Sequence, residues 1–208
     1  MWREPAQQWR ALTSPPGVVF LYPSPPVAML VEVGGVKVRF VSWAEGIALS
    51  EALAKKVEES GYKPEVIVAI SRGGLVPARV ISDVLGVDDI VTVGVKYWGL
   101  AQRRAERPLL YHGIEPGVVR GRRTLVVDEV ADTGHTLAVV KSLLDLIGAA
   151  EVKTAVVHLK TTSRFVPDYY AERIEEWVWI SYPWSRYEDL REFRKRGYDV
   201  WRYMERIC

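Results

Sequence analysis

Three groups of polar residues each follow a short apolar run. Ser71, Arg72, Gly73 and Gly74 come after "VIVAI", Asp128 and Glu129 open "DEVADTGHT" after "TLVV", and Lys160 closes "TAVVHLK". If the runs are buried parallel strands, all three groups reach one rim, at the carboxyl ends where open α/β sheets hold ligands. In "ADTGHT", Gly134 lets the backbone pass close to a ligand, and the turn feeds a helix beginning near His135. The free amides and positive dipole end of such a helix suit a phosphate. Thr133 and Thr136 add hydroxyl donors. Asp128 and Glu129 would repel a phosphate at the same point, so they match neutral hydroxyls, as on a ribose, or a divalent cation. A sugar phosphate with its hydroxyls on the acids and its phosphate on the turn satisfies both halves.

Each group taken alone also has a plainer reading. Ser-Arg-Gly-Gly makes a tight strand-to-helix turn, paired acids make a solvated corner, and Lys160 makes an exposed strand end. Their meeting on one edge argues for a site. No Gly-Lys-Ser/Thr follows the turn, which excludes a Walker-type phosphate loop, and Gly-x-Gly-x-x-Gly is missing from every strand-to-helix junction. No His/Cys cluster suggests zinc, and no Ser-His-Asp set has telling spacing.

The elements that must carry these groups are legible from patterning. Residues 1–35 read as an irregular proline-rich arm ending in the start of a hairpin, since "SPPGVVFLYPSPP" removes backbone donors. "MLVEVGGVKVRFVSW" alternates around Gly-Gly and predicts that hairpin. Ser42 caps a helix over 43–60, with Glu45 completing a capping box and Gly61 ending it. From Pro64 the chain alternates: strand "EVIVAI", helix "GLVPARVISDVLG", strand "DIVTVGVKYW", a polar stretch over 99–123, strand "TLVVDE" and helix "HTLAVVKSLLDLIG". "KTAVVHLK" and "EWVWIS" are the last strands, and an amphipathic helix from about Arg186 closes the chain. This is an α/β fold with an open, mainly parallel sheet flanked by helices. The expected main domain spans 36–190, with 191–208 as a C-terminal helix.

Composition agrees with an ordinary globular chain: 208 residues, 49% apolar and 26% charged, with a net charge of +2 that gives no case for nucleic acid. Asparagine is absent and glutamine scarce, a bias against heat-labile amides. The single cysteine, Cys208, excludes an internal disulfide framework, makes a poor catalytic thiol and fits a reducing cytoplasm. No apolar run approaches the roughly 20 residues that span a bilayer, so no membrane role is expected.

"LVVDEVADTGHTL" resembles the signature of the type I phosphoribosyltransferases, and "VIVAISRGGLVPARVISDVLG" is similar to the pyrophosphate loop of bacterial xanthine-guanine enzymes. "VVHLK" and "EWVWISYPWS" resemble that family's base-binding segments. The resemblance covers about 40–190. It implies transfer of phosphoribosyl from 5-phosphoribosyl-1-pyrophosphate (PRPP) to a 6-oxopurine in purine salvage, yielding the purine nucleoside monophosphate and pyrophosphate. It also implies Mg²⁺ and a homodimer or homotetramer. By the same resemblance Asp128 and Glu129 hold the ribose hydroxyls directly or through Mg²⁺, and Glu129 departs from the usual second aspartate. Asp132 is the acid/base at purine N7; as a plainer alternative it only caps the next helix. Thr133, Gly134, His135 and Thr136 wrap the 5′-phosphate, while Ser71, Arg72, Gly73 and Lys96 meet pyrophosphate. Lys160 donates to O6, Trp179 stacks on the base and Ile180 offers a carbonyl at the 2-position. Ser181 stands where the xanthine-guanine enzyme has glutamate, which leaves selectivity at the 2-position open.

Residues 97–117 occupy the place of the family's hood loop, whose arginines and histidine suit a water-excluding lid or a solvated loop equally. His158 reads as a core histidine, and two of Trp177, Trp179 and Trp184 as aromatic filling. Two competing readings keep the fold: a PRPP- or nucleotide-sensing regulator without catalysis, and an enzyme for adenine, against which Lys160 speaks.

Overall fold

A computed structural model describes residues 29–96 and 108–205, together with backbone pairing alone for four short strands: β1 (Trp9–Ala11), β2 (Leu21–Pro23), β7 (Trp98–Gly99) and β8 (Gln102–Arg103). β1 pairs with β2, and β7 with β8, both antiparallel. Otherwise the proline-rich arm, the tip of the hood and Cys208 lie outside the described residues.

The hairpin forms as expected. β3 (Met29–Val33) and β4 (Val36–Phe40) are antiparallel around Gly34 and Gly35, which both have positive φ, 57° and 76°. Residue 35 thus falls inside the turn, so the hairpin straddles the boundary expected there. α1 (Trp43–Glu59) begins at Ser42, whose Oγ accepts from the Glu45 amide at 3.1 Å. The returning half of the capping box is replaced: the Glu45 carboxylate turns to Arg39.

The alternation from Pro64 builds a six-stranded sheet. Its strands are β5 (Val66–Ser71), β6 (Ile90–Lys96), β9 (Leu109–His112), β10 (Arg123–Ala131), β11 (Glu151–Lys160) and β12 (Tyr169–Ile174), in the spatial order β12-β11-β10-β5-β6-β9. All neighbours are parallel except the edge strand β9. The continuous apolar runs are explained by two cores. Val66, Val68, Ile70, Val126 and Val156 pack with Leu137, Val140 and Leu144 of α4 (His135–Ile147) and Val119 of α3 (Pro116–Val119). Ile67, Ala69, Leu125, Val127 and Ala155 point the other way, onto Leu53 and Val57 of α1 and Ala78 and Ile81 of α2 (Leu75–Leu85). Successive strand residues face opposite layers, so both faces of the central strands are mainly apolar.

Two strands inside the patterned region differ from the sequence expectation. β12, "YYAERI", carries enough polar residues to hide its sheet role, and it completes the main sheet at the far edge. "WIS", β13 (Trp179–Ser181), leaves the main sheet and pairs in parallel with β4. It forms a three-stranded sheet, β13-β4-β3, whose apolar face is covered by Leu190 and Phe193 of α5 (Arg186–Lys195) and Met204 of α6 (Trp201–Met204). The closing helix is therefore two, broken near Gly197, which has φ 85°. This small lobe lies beside the carboxyl rim.

Candidate active site

The sheet order reverses between β5 and β10: α2 leads from β5 to β6 on one side, while α4 leads from β10 to β11 on the other. The last β5–β10 pair is Ala69 with Val127. Beyond it β5 continues against β6 to Ser71, and β10 continues against β11 to Ala131. The strands part there, and Asp128 and Glu129 emerge where they part. This is the crevice in which doubly wound sheets place their ligands. It opens into a cavity of about 880 Å³.

Of the residues to which the resemblance gives a ligand contact, all but His135 line that cavity; Gly74, Trp177 and Ser181 stand outside its lining. Ser71, Arg72, Gly73 and Lys96 form one end, Thr133, Gly134 and Thr136 another, and Lys160, Trp179 and Ile180 a third. His135 is the first residue of α4, and its ring Nδ1 lies 3.2 Å from Thr133 Oγ1. Its ring is therefore not a wall of the cavity. Gly134 has φ 77°, and a Cβ there would overlap Phe165 and Ser163, so the turn into α4 is closed to larger residues on that side.

The acid pair is held by its surroundings. Asp128 Oδ1 accepts from the Glu129 amide at 2.8 Å. Glu129 Oε2 accepts from Trp184 Nε1 at 2.6 Å, and its backbone carbonyl accepts from Tyr182 Oη at 2.9 Å. Burial pushes the Asp128 carboxyl up to about 7, and burial followed by the neighbouring Asp128 pushes Glu129 up to about 8. The Glu129 side chain lies across Gly73, where a Cβ would fall inside its carboxylate. Gly74 is as tight, since a Cβ would meet Val127 O and Ile70 O. The glycines of the loop after β5 thus give room for the acid after β10.

A polar chain fixes this end of β10 from behind. Tyr182 Oη has one proton, which it gives to Glu129 O, so the buried His158 donates through Nδ1 at 2.7 Å. His158 Nε2 faces Glu172, which Arg39 grips with two bonds of 2.7 and 2.9 Å. Burial holds the His158 ring below its ordinary pKa. It is the core histidine the sequence suggested.

Lys160 is 2% exposed, and its ammonium is ion-paired with Asp132 and lies 5.1 Å from the centre of the Trp177 ring. Thr162 Oγ1 bonds the Asp132 carbonyl at 2.8 Å. Lys160 is no exposed strand end. Of the three tryptophans read as mainly filling, Trp179 and Trp184 line the cavity and Trp177 is 41% exposed. Trp184 stacks on Tyr182 at 4.9 Å and packs over Gly46, where no side chain would fit beneath it. Its role was missed because only its contact with Glu129 separates it from core filling. Tyr111, Glu188 and Asp189 also line the cavity. No motif contains them, and only the packing of β9 and α5 brings them in.

Asp128 and Glu129 are partly buried carboxylates on the cavity wall, and their oxygen chemistry suits Mg²⁺. Among the described residues no group of three or more His, Cys, Asp or Glu side chains forms a complete cation site. Two carboxylates would supply part of such a shell.

Together these features define an α/β domain with a polar crevice at the carboxyl rim of its parallel sheet. The phosphoribosyl transferase domain family matches residues 41–189, and the chain belongs to that family. A xanthine-guanine phosphoribosyltransferase of Nitratidesulfovibrio vulgaris is 32% identical over 150 residues, 72% of this chain and 85% of that protein. The crystal structure of a purine phosphoribosyltransferase from Pyrococcus horikoshii Ot3 superposes with a TM-score of 0.61 at 37% identity, over 71% of this chain and 93% of that one. A hypothetical protein from Neisseria gonorrhoeae, solved with bound ppGpp, superposes with a TM-score of 0.62 at 28% identity, over 74% of this chain and 92% of that one.

Proposed function

We propose that this phosphoribosyltransferase joins the phosphoribosyl group of PRPP to a 6-oxopurine (guanine, xanthine or hypoxanthine) and releases pyrophosphate, a step of purine salvage. The observation that carries this reading is the buried Asp132–Lys160 pair beside Trp179 and Ile180. Purine O6 and N7 are neighbours on one edge of the base. Lys160, a donor without acceptor capacity, takes the oxo group, and Asp132 takes the proton at N7. An adenine amino group would set donor against donor.

The 5′-phosphate lies on the turn at Thr133, Gly134 and Thr136, the ribose hydroxyls on Asp128 and Glu129, and pyrophosphate on the loop of Ser71, Arg72 and Gly73 with Lys96. As purine N9 attacks the anomeric carbon, the bond to the pyrophosphate oxygen breaks and the N7 proton passes to Asp132. Positive charge develops on the sugar, as in glycoside hydrolysis, and the acids below it stabilise that charge. Mg²⁺, held by Asp128 and Glu129 with PRPP, would neutralise the leaving pyrophosphate.

Location in the cytoplasm belongs to the same reading; no described helix is long and apolar enough to cross a membrane. Assembly as a homodimer or homotetramer belongs to it too. Exposed Leu109 and Leu110 on the edge strand β9 and Leu146 on α4 offer surface to a second copy.

The test is pyrophosphate release with PRPP, Mg²⁺ and each of guanine, xanthine, hypoxanthine and adenine. Release with oxopurines and little with adenine is expected. PRPP binding without turnover of any base would instead make the protein a sensor.

A further inference from the structure

Asp189 is a carboxylate 4% exposed in the first turns of α5, yet it lines the cavity. Its Oδ1 accepts from Trp179 Nε1 at 3.1 Å and its Oδ2 from Ser181 Oγ at 2.7 Å. Both partners are neutral donors, and among the described residues no cation is paired with it. The indole N–H lies in the plane of its ring, so the carboxylate sits level with the edge of Trp179 and not above its face. A base stacked on Trp179 would bring its own edge alongside.

Which edge follows from the other walls. β10 and β11 supply Asp132 and Lys160, which take the 6,7 edge in the proposed reaction. β13 and α5, in the small lobe, supply Trp179, Ile180 and Asp189. The polar edge left to them runs through the 2-position, where guanine carries an amino donor, xanthine an oxo acceptor and hypoxanthine neither. Ser181, on β13, turns its hydroxyl to Asp189.

We infer that Asp189 is the residue that reads the purine 2-position and that it selects guanine over xanthine. This rests on the 6-oxopurine reading and deepens it. Both carboxylate oxygens already receive donors, and each keeps a further acceptor site that the 2-amino group can use. A 2-oxo group would meet acceptor with acceptor. A hydrogen bond to a charged group is worth about tenfold to a hundredfold in affinity.

The measurement is kcat/KM for guanine, xanthine and hypoxanthine at about pH 8.5, above the Asp189 value of about 7, with the wild-type protein and with Asp189→Asn. Asparagine keeps an acceptor for Trp179 and adds a donor for a 2-oxo group. Wild type is expected to favour guanine over xanthine by about tenfold or more, and the variant to shrink that ratio about tenfold while hypoxanthine changes little. A ratio unchanged by the variant, with all three bases slowed alike, would reduce Asp189 to a structural residue and overturn the assignment. Equal or better use of xanthine by the wild type would overturn it whether or not the variant folds. No turnover of any oxopurine by the wild type would overturn the parent reading, and this assignment with it.

Discussion

The Lys160 ammonium and the Asp132 carboxylate form an ion pair at the cavity wall, with Lys160 almost fully enclosed. A pair this well buried carries a desolvation cost that stability alone does not explain. Its geometry offers a donor and a proton acceptor side by side, matched to adjacent base atoms. Asp132→Asn should lower kcat about 10²- to 10⁴-fold while PRPP affinity, measured by calorimetry, stays within about threefold. Asp132 does not cap α4, whose N-cap is Gly134 with no side-chain bond; a residue that merely neutralised Lys160 would lower stability and leave kcat largely intact.

Gly73 and Glu129 interlock, because the acid's side chain fills the space a Cβ would need. Gly73→Ala should displace Glu129 and raise KM for PRPP about tenfold or more. The far-UV circular dichroism spectrum should be unchanged. A KM like that of the wild type would show that Glu129 is not a sugar or metal contact.

Arg72 of the pyrophosphate loop is ion-paired with Glu188 on α5, across the cavity mouth. The Arg72 side chain is 67% exposed, so the pair adds little stability. It does hold Arg72 against a carboxylate, which pyrophosphate bound as proposed would have to replace. Glu188→Gln should lower KM for PRPP about two- to fivefold, with kcat for the oxopurines nearly unchanged. A raised KM would mean that Glu188 positions Arg72 productively.

Stability should fall as pH rises through neutrality. Asp128, Asp189 and Glu129 have folded-state pKa values pushed up to about 7, 7 and 8, chiefly by burial. The folded chain then holds more protons than the unfolded chain above pH 4, and that advantage is lost as pH passes 7–8. His158, held below its ordinary value by burial, acts in the opposite sense, but only below about pH 6.5. Between pH 6.5 and 8.5 the decline is unopposed. The cavity wall is open to water, so a loss of about 1–3 kcal/mol, or a few °C in Tm, is expected for the ligand-free protein. Glu129→Gln should flatten the slope. A Tm rising with pH over this interval would contradict the buried-acid description.

Much of this site is legible in the sequence because its residues follow strands. Asp128, Lys160 and Ser71 each end an apolar run buried on both faces, and parallel runs of that kind deliver their ends to one rim. The turn before α4 declares itself through Gly134 and its flanking threonines. What packing alone decides is less visible. β12 mixes Glu172 and Arg173 into a strand, because its outer edge is solvated and Arg39 meets Glu172. β13 reads like another core strand but pairs with the hairpin, since Val38 and Phe40 accept it in register. Asp189 looks like a helix-start acid until α5 folds against β13 and turns it inward.

The central claim is that the acids after β10 hold the ribose while the turn into α4 holds the phosphate. A crystal structure with guanosine monophosphate tests it most directly. The account predicts the phosphate on the amides and hydroxyls of residues 133–136 and the ribose hydroxyls within hydrogen-bond reach of Asp128 and Glu129. The base should lie against Trp179 with its O6 toward Lys160. A nucleotide seated elsewhere, or one with its phosphate on the loop of Arg72 and Gly73, would contradict it.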